Sequence, residues 1–202
     1  MRKVIIVALV LFSLVSLTAA QIPTSGNVFV GYSYLNTAVS GANRINTNGW
    51  EASFEGKVVP FFGIVADFDS HYSGTVNFPV SDCSGIGCPV QPAGVIPPGG
   101  GYLIANISEH NYLFGPRVSV PAGRFRPFGE LLIGAIHIAA NSATSSASFG
   151  SDTSFATAVG GGIDYRLIRL LAWRIQGDYV HTRLFGFGQN NVRISTGIVI
   201  RF

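Results

Sequence analysis

The stretch Asn191 to Phe202, N-V-R-I-S-T-G-I-V-I-R-F, alternates with a period of two. Val192, Ile194, Ile198, Ile200 and Phe202 share one parity, while Arg193, Ser195, Gly197 and Arg201 share the other, interrupted only by Val199. Successive side chains of a strand point to opposite faces, so this strand is apolar on one side and charged on the other. Apolar outward and charged inward is the pattern of a barrel strand in a lipid bilayer, where every backbone group must pair and no sheet edge can stay open.

The other end of the chain fits an exported protein. Met1 to Ala20 begins with Arg2 and Lys3, continues through V-I-I-V-A-L-V-L-F and ends Thr18-Ala19-Ala20. That order is expected of a cleaved signal peptide over 1–20, with processing before Gln21. The remaining 21–202 then forms one barrel domain of about 182 residues, a usual single-domain size. No other stretch approaches the roughly 18 apolar residues of a membrane helix.

Removing the leader also removes two of the 13 basic residues, so the remaining positive charge nearly balances the 10 acidic residues. The arginines are spread singly along strands, a distribution that argues against nucleic-acid binding. Abundant glycine, 15 Phe and 7 Tyr suit close-packed strands with interfacial rings.

Period-two segments predict eight strands near 28–36, 50–59, 62–71, 109–120, 128–139, 154–165, 171–182 and 192–202, each about the 9 to 11 residues a tilted bilayer strand needs. The connections alternate. Short ones fall at 60–61, 121–127 and 166–170; long polar ones fall at 37–49, 72–108, 141–153 and 183–191. The expectation is an all-β, eight-stranded antiparallel up-and-down transmembrane β-barrel of the outer membrane, with both termini on the periplasmic side and the long loops outside.

Parity assigns the lumen. Glu51, Glu55 and Lys57 oppose Trp50, Ala52, Phe54 and Val58; Asp67 opposes Phe68; Arg117 opposes Phe114 and Val118; Arg174, Asp178 and Arg193 point inward from the last two strands. Glu130 shares its parity with Leu132, Ile136 and Ile138, which predicts either a bulge or a rim position. An eight-stranded interior is just wide enough for side chains to fill, and buried charges persist when paired. The predicted luminal network is therefore Glu51, Glu55, Lys57, Asp67, Glu130, Arg117, Arg174, Asp178 and Arg193.

Cys83 and Cys88, the only cysteines, sit in D-C-S-G-I-G-C-P within the longest connection. In an oxidising compartment they are expected to form a disulfide closing a small loop. They supply only half of a tetrahedral zinc set, so no metal site and no cofactor is expected. The 72–108 loop is the expected contact for an unidentified extracellular partner. The nearest approach to hydrolase chemistry is His71-Tyr72-Ser73 with Asp69, an ordinary composition at a strand end; no catalytic residue is assigned, and the chain is not read as an enzyme. His137 shares the outward parity of Leu131, Ile133 and Ala135 and reads as an interfacial ring. Gly160, Gly161 and Gly162 lie inside a strand and read as close packing or a bend.

Four segments resemble the small OmpA-like, porin-family outer-membrane β-barrels of Gram-negative bacteria: N-G-W-E-A-S-F-E-G-K at 48–57, L-F-G-P-R-V-S at 113–119, A-V-G-G-G-I-D-Y-R at 158–166, and the last strand. The resemblance implies outer-membrane lipid as surroundings and recognition by the barrel-assembly machinery through Ile198, Ile200 and Phe202. It implies no substrate, because fold does not specify function. The leading expectation is a structural or surface-interaction barrel whose lumen is filled by charge. The alternatives are a narrow or gated porin passing ions and small solutes and, behind it, an outer-surface lipid-modifying enzyme.

Overall fold

The computed structural model describes residues 25–40, 43–74, 76–79, 102–142, 148–184 and 187–202. Within them lie nine strands: β1 (Gly26–Ser40), β2 (Asn43–Val59), β3 (Phe62–Tyr72), β4 (Val76–Pro79), β5 (Tyr102–Ser119), β6 (Phe125–Ser142), β7 (Ser148–Arg166), β8 (Leu171–Leu184) and β9 (Phe187–Arg201). Eight of them close on themselves. Each pairs antiparallel with its neighbour, β1 meets β9, and β3 meets β5 to complete the ring. The short β4 continues beyond β3 along the start of β5.

Closure leaves no edge among the eight, which lets a sheet sit in hydrocarbon without unpaired backbone groups. The outward face is apolar: Val30, Phe54, Ile64, Phe114, Leu131, Ile133, Val159, Ile175, Ile194 and Ile198 are all exposed. Aromatic side chains border this band, with Tyr32, Trp50, Tyr72, Tyr112 and Tyr179 toward the loops and Phe61, Phe125, Trp173 and Phe202 toward the tight turns. In water so much apolar surface would drive aggregation. Around a barrel it is the lipid-facing girdle.

The strands run past the lipid-spanning length on the loop side. The expected 37–49 loop is mostly ladder, with Thr37 opposite Ile45 and Tyr34 opposite Asn48. Likewise Asn141 pairs Ser148, and Thr182 pairs Gln189. Polar composition disguised these segments: beyond the bilayer a strand needs cross-strand hydrogen bonds but no outward apolar residues. On the turn side the chain reverses tightly. At 122–125, Ala122 and Phe125 exchange both backbone hydrogen bonds (2.8 and 3.0 Å) around Gly123, whose φ of 65° suits glycine.

Two expectations need correction. Glu130 sits neither at a bulge nor at the rim, because the β5–β6 register runs from Phe114–Ile133 to Arg117–Glu130 without a shift and Glu130 is buried. Its parity mates Leu132, Ile136 and Ile138 point inward too, packing with Val65, Leu113, Ala156, Ala158 and Val180. One sector of the lumen is therefore hydrophobic. The second correction concerns the disulfide: none is found, no such bond joins any of the described residues, and Cys83 and Cys88 lie outside them.

The Gly160-Gly161-Gly162 run keeps an unbroken register with β6 and β8 and packs closely against both. Gly160 faces Asp178 across the β7–β8 ladder, and a Cβ there would collide with the Asp178 carboxylate and the Gly177 carbonyl. Gly160→Val should therefore destabilise the folded barrel by about 1–3 kcal/mol through overpacking. A lower urea midpoint in detergent micelles, read by tryptophan fluorescence, checks this; an unchanged midpoint would contradict the packing role.

Candidate functional site in the barrel lumen

Inward parity brings eight carboxylic acids into the buried interior: Glu51, Glu55, Asp67, Asp69, Glu109, Glu130, Asp164 and Asp178. Three fully enclosed arginines, Arg117, Arg174 and Arg193, meet them. Burying an unpaired charge is costly, so geometry decides whether such a lumen can exist. The charges form two tiers along the axis.

The central tier is built on Arg193 of β9. Its Nη1 donates to Asp67 Oδ1 at 2.7 Å and to Asp69, while Nε and Nη2 donate to Asp178 Oδ2 at 3.0 and 2.9 Å. Glu51 Oε2 lies 3.6 Å from Nε. One planar guanidinium thus joins acids from β2, β3 and β8, using the fork geometry that distinguishes arginine from lysine. Gln176 donates to Glu51 at 2.5 Å, and the Ser195 hydroxyl is within reach of both Glu51 and Ser33.

Nearer the turns, Arg117 of β5 donates from Nε to Glu130 Oε2 at 2.7 Å and from Nη1 to Glu55 Oε2 at 3.3 Å. Arg174 of β8 grips Asp164 with Nε at 2.7 Å and Nη2 at 3.1 Å. Asn27 links the two halves, donating to Glu55 at 2.7 Å and accepting from Arg174 at 3.4 Å. Both guanidinium carbons stand over the Phe128 ring, 4.4 and 4.6 Å from its centroid. That ring supplies cation–π attraction where carboxylates are fewer.

Of the expected network, Glu51, Glu55, Asp67, Glu130, Arg117, Arg174, Asp178 and Arg193 come together as described. Lys57 does not join them; it lines the lumen mouth beside Arg126 and Arg201. Sequence reading omitted Asp69, Glu109 and Asp164 from the network. Asp69 and Asp164 carried the right signal, since Asp69 shares the parity of Asp67 and Asp164 that of Gly160 and Gly162. Glu109 stood at the assumed start of its strand, where inside and outside were undefined.

The histidines divide by face. His110, His137 and His181 lie on the outward parity at the loop-side border; His137 meets Thr153 Oγ1 and His181 meets Asn190 Oδ1, each at 2.7 Å. His71 points inward. Its partner is Ser33, with Nε2 2.8 Å from Oγ, and its Nδ1 lies 3.1 Å from Asp69 Oδ1. Ser73 bonds the Ile107 backbone instead. The Ser33–His71–Asp69 order imitates a hydrolase triad, but all three are buried, leaving no room for a substrate carbonyl at the hydroxyl. These three residues therefore form no hydrolase site, and no group of three or more potential metal ligands occurs among the described residues.

No family model and no curated protein matches the sequence. Solved structures do. Neisserial surface protein A aligns with a TM-score of 0.61 at 9% identity, covering 88% of this chain and 97% of that one. Ail, the attachment invasion locus protein of Yersinia pestis, aligns at 0.56 and 14% identity over 88% and 98% of the two chains. The outer membrane protein OprG from Pseudomonas aeruginosa aligns at 0.54 and 11% identity over 88% and 95%. The architecture is that of a small outer-membrane β-barrel. At these identities the likeness concerns the fold; the charge network filling the lumen is read from this chain's own residues.

Removing Arg193 should expose how much rests on it. Arg193→Met leaves Asp67, Asp69 and Asp178 without their shared donor and should cost about 3–5 kcal/mol, whereas Lys57→Met should cost well under 1. Urea unfolding of refolded barrels in micelles tests the ranking; equal losses would contradict it.

Proposed function

We propose that the protein is a structural and surface-interaction barrel of the outer membrane: a stable plug-filled scaffold that presents its 72–108 connection outside the cell. The observation that carries this reading is the lumen, occupied from one tier to the next by paired charges, two phenylalanines and an apolar sector. A filled eight-stranded interior has no water column for solute passage, so a porin role is disfavoured. The protein named for attachment among its structural relatives, Ail, supports a surface role by analogy of fold alone.

In the same reading, residues 1–20 are a signal peptide removed on export, 21–202 the barrel domain, and the termini periplasmic. Ile198, Ile200 and Phe202 present an apolar outward face to the assembly machinery; all three are exposed, and Phe202 stacks on Phe54 with centroids 5.9 Å apart.

The test replaces residues 80–101 by a short Gly-Ser linker. Cells carrying the shortened barrel should keep its heat-dependent gel shift and lose the adhesion to host cells or extracellular matrix conferred by the full-length protein. Equal adhesion by both forms would overturn the assignment of contact to this connection.

A further inference from the structure

At the turn end, inward parity continues past the last acidic tier and ends in cations. Lys57 of β2, Arg126 of β6 and Arg201 of β9 converge on a cavity of about 540 Å3. The acids at this level are already engaged. Asp164 is held by both arms of Arg174 and lies 3.6 Å from Arg201 Nη2, beyond hydrogen-bond reach, while Glu55 is taken by Asn27 and Arg117. Arg126 Nε, Arg201 Nε and Arg201 Nη2 are buried without a hydrogen-bond partner. Buried guanidinium N–H groups normally find an acceptor. Three cationic side chains, Lys57, Arg126 and Arg201, line one half-open chamber, and such a cluster suits the oxygens of a phosphate.

The wall narrows the choice of ligand. Val58, Phe61 and Phe202 line the same cavity and are themselves exposed, and Val58 and Phe202 lie on the lipid-facing parity. A ligand seated here could place its anionic group on the cations and its hydrocarbon along the apolar girdle. The surrounding turns add Arg124, Arg166 and Arg169, all exposed; the first two are joined where the Arg166 N–H donates to the Arg124 carbonyl at 2.8 Å. Basic residues at a membrane surface attract acidic lipid. We propose that this cavity binds the phosphate group of an acidic membrane lipid from the leaflet at the turn end. The acids nearest the chamber, Asp164, Glu55 and Glu130, are held by Arg174, Arg117 and Asn27, which leaves the cations of the chamber to a ligand.

The test uses the refolded full barrel in phosphatidylcholine nanodiscs doped with phosphatidylglycerol, with retained lipid counted by native mass spectrometry. A second arm offers inorganic phosphate at ionic strength matched with chloride. Wild type should retain phosphatidylglycerol in preference to phosphatidylcholine, undiminished by phosphate. Lys57→Gln and Arg126→Gln, neither of which breaks an ion pair seen here, should each weaken retention about tenfold while keeping the heat-dependent gel shift. Displacement of the lipid by inorganic phosphate, with the same loss in both variants, would keep the phosphate site and overturn its lipid source. No preference in wild type, or unchanged retention in both folded variants, would overturn the site itself.

Discussion

The structure depends on one guanidinium. Arg193 stands mid-lumen and is shared by Asp67, Asp69 and Asp178, with Glu51 beside it, so strands distant in sequence are joined through a single planar cation. Backbone pairing closes the cylinder but says nothing of what fills it. Acids presented from β2, β3 and β8 would repel one another across a space too narrow for bulk water, and the Arg193 fork converts that repulsion into cohesion.

The remaining interior follows from space and charge together. Gly160 and Gly162 on β7, and the Gly31–Gly197 pair between β1 and β9, leave volume that the long luminal side chains occupy. Toward the loops, the β5–β7 side fills with Leu113, Leu132, Ile136 and Ala156, which need no partners. Toward the turns, Phe128 lies against Arg117 and Arg174. Cations then outnumber free acids at the mouth, where Lys57, Arg126 and Arg201 gather. The lumen is thus polarised along its axis, acid-rich at the centre and basic at the turn end.

Much of this was legible in the sequence wherever one face was charged and the other apolar. Trp50-Glu51 through Val58, and Val192 through Ile200, fixed inside and outside without ambiguity, since a register slip would place charge in hydrocarbon. β6 misled because Glu130, Leu132, Ile136 and Ile138 share one face, and a polar lumen was assumed. A closed barrel can bury apolar residues inward as well, and no local pattern distinguishes the two sides when both are apolar. The strand extensions at 37–49 and 183–191 were hidden for the opposite reason: outside the bilayer both faces are polar. Which acid pairs with which arginine had no sequence signal, because each pair is set by the closure of the cylinder.

The central claim is that this interior is filled and shut. Single-channel recording in a planar lipid bilayer, on protein whose folding has been confirmed by a heat-dependent gel shift, tests it most directly. The account predicts a silent membrane at every holding potential the bilayer survives. Reproducible unitary steps from folded wild-type protein would contradict it, because they would require the Arg193 tier to part and admit a continuous column of water.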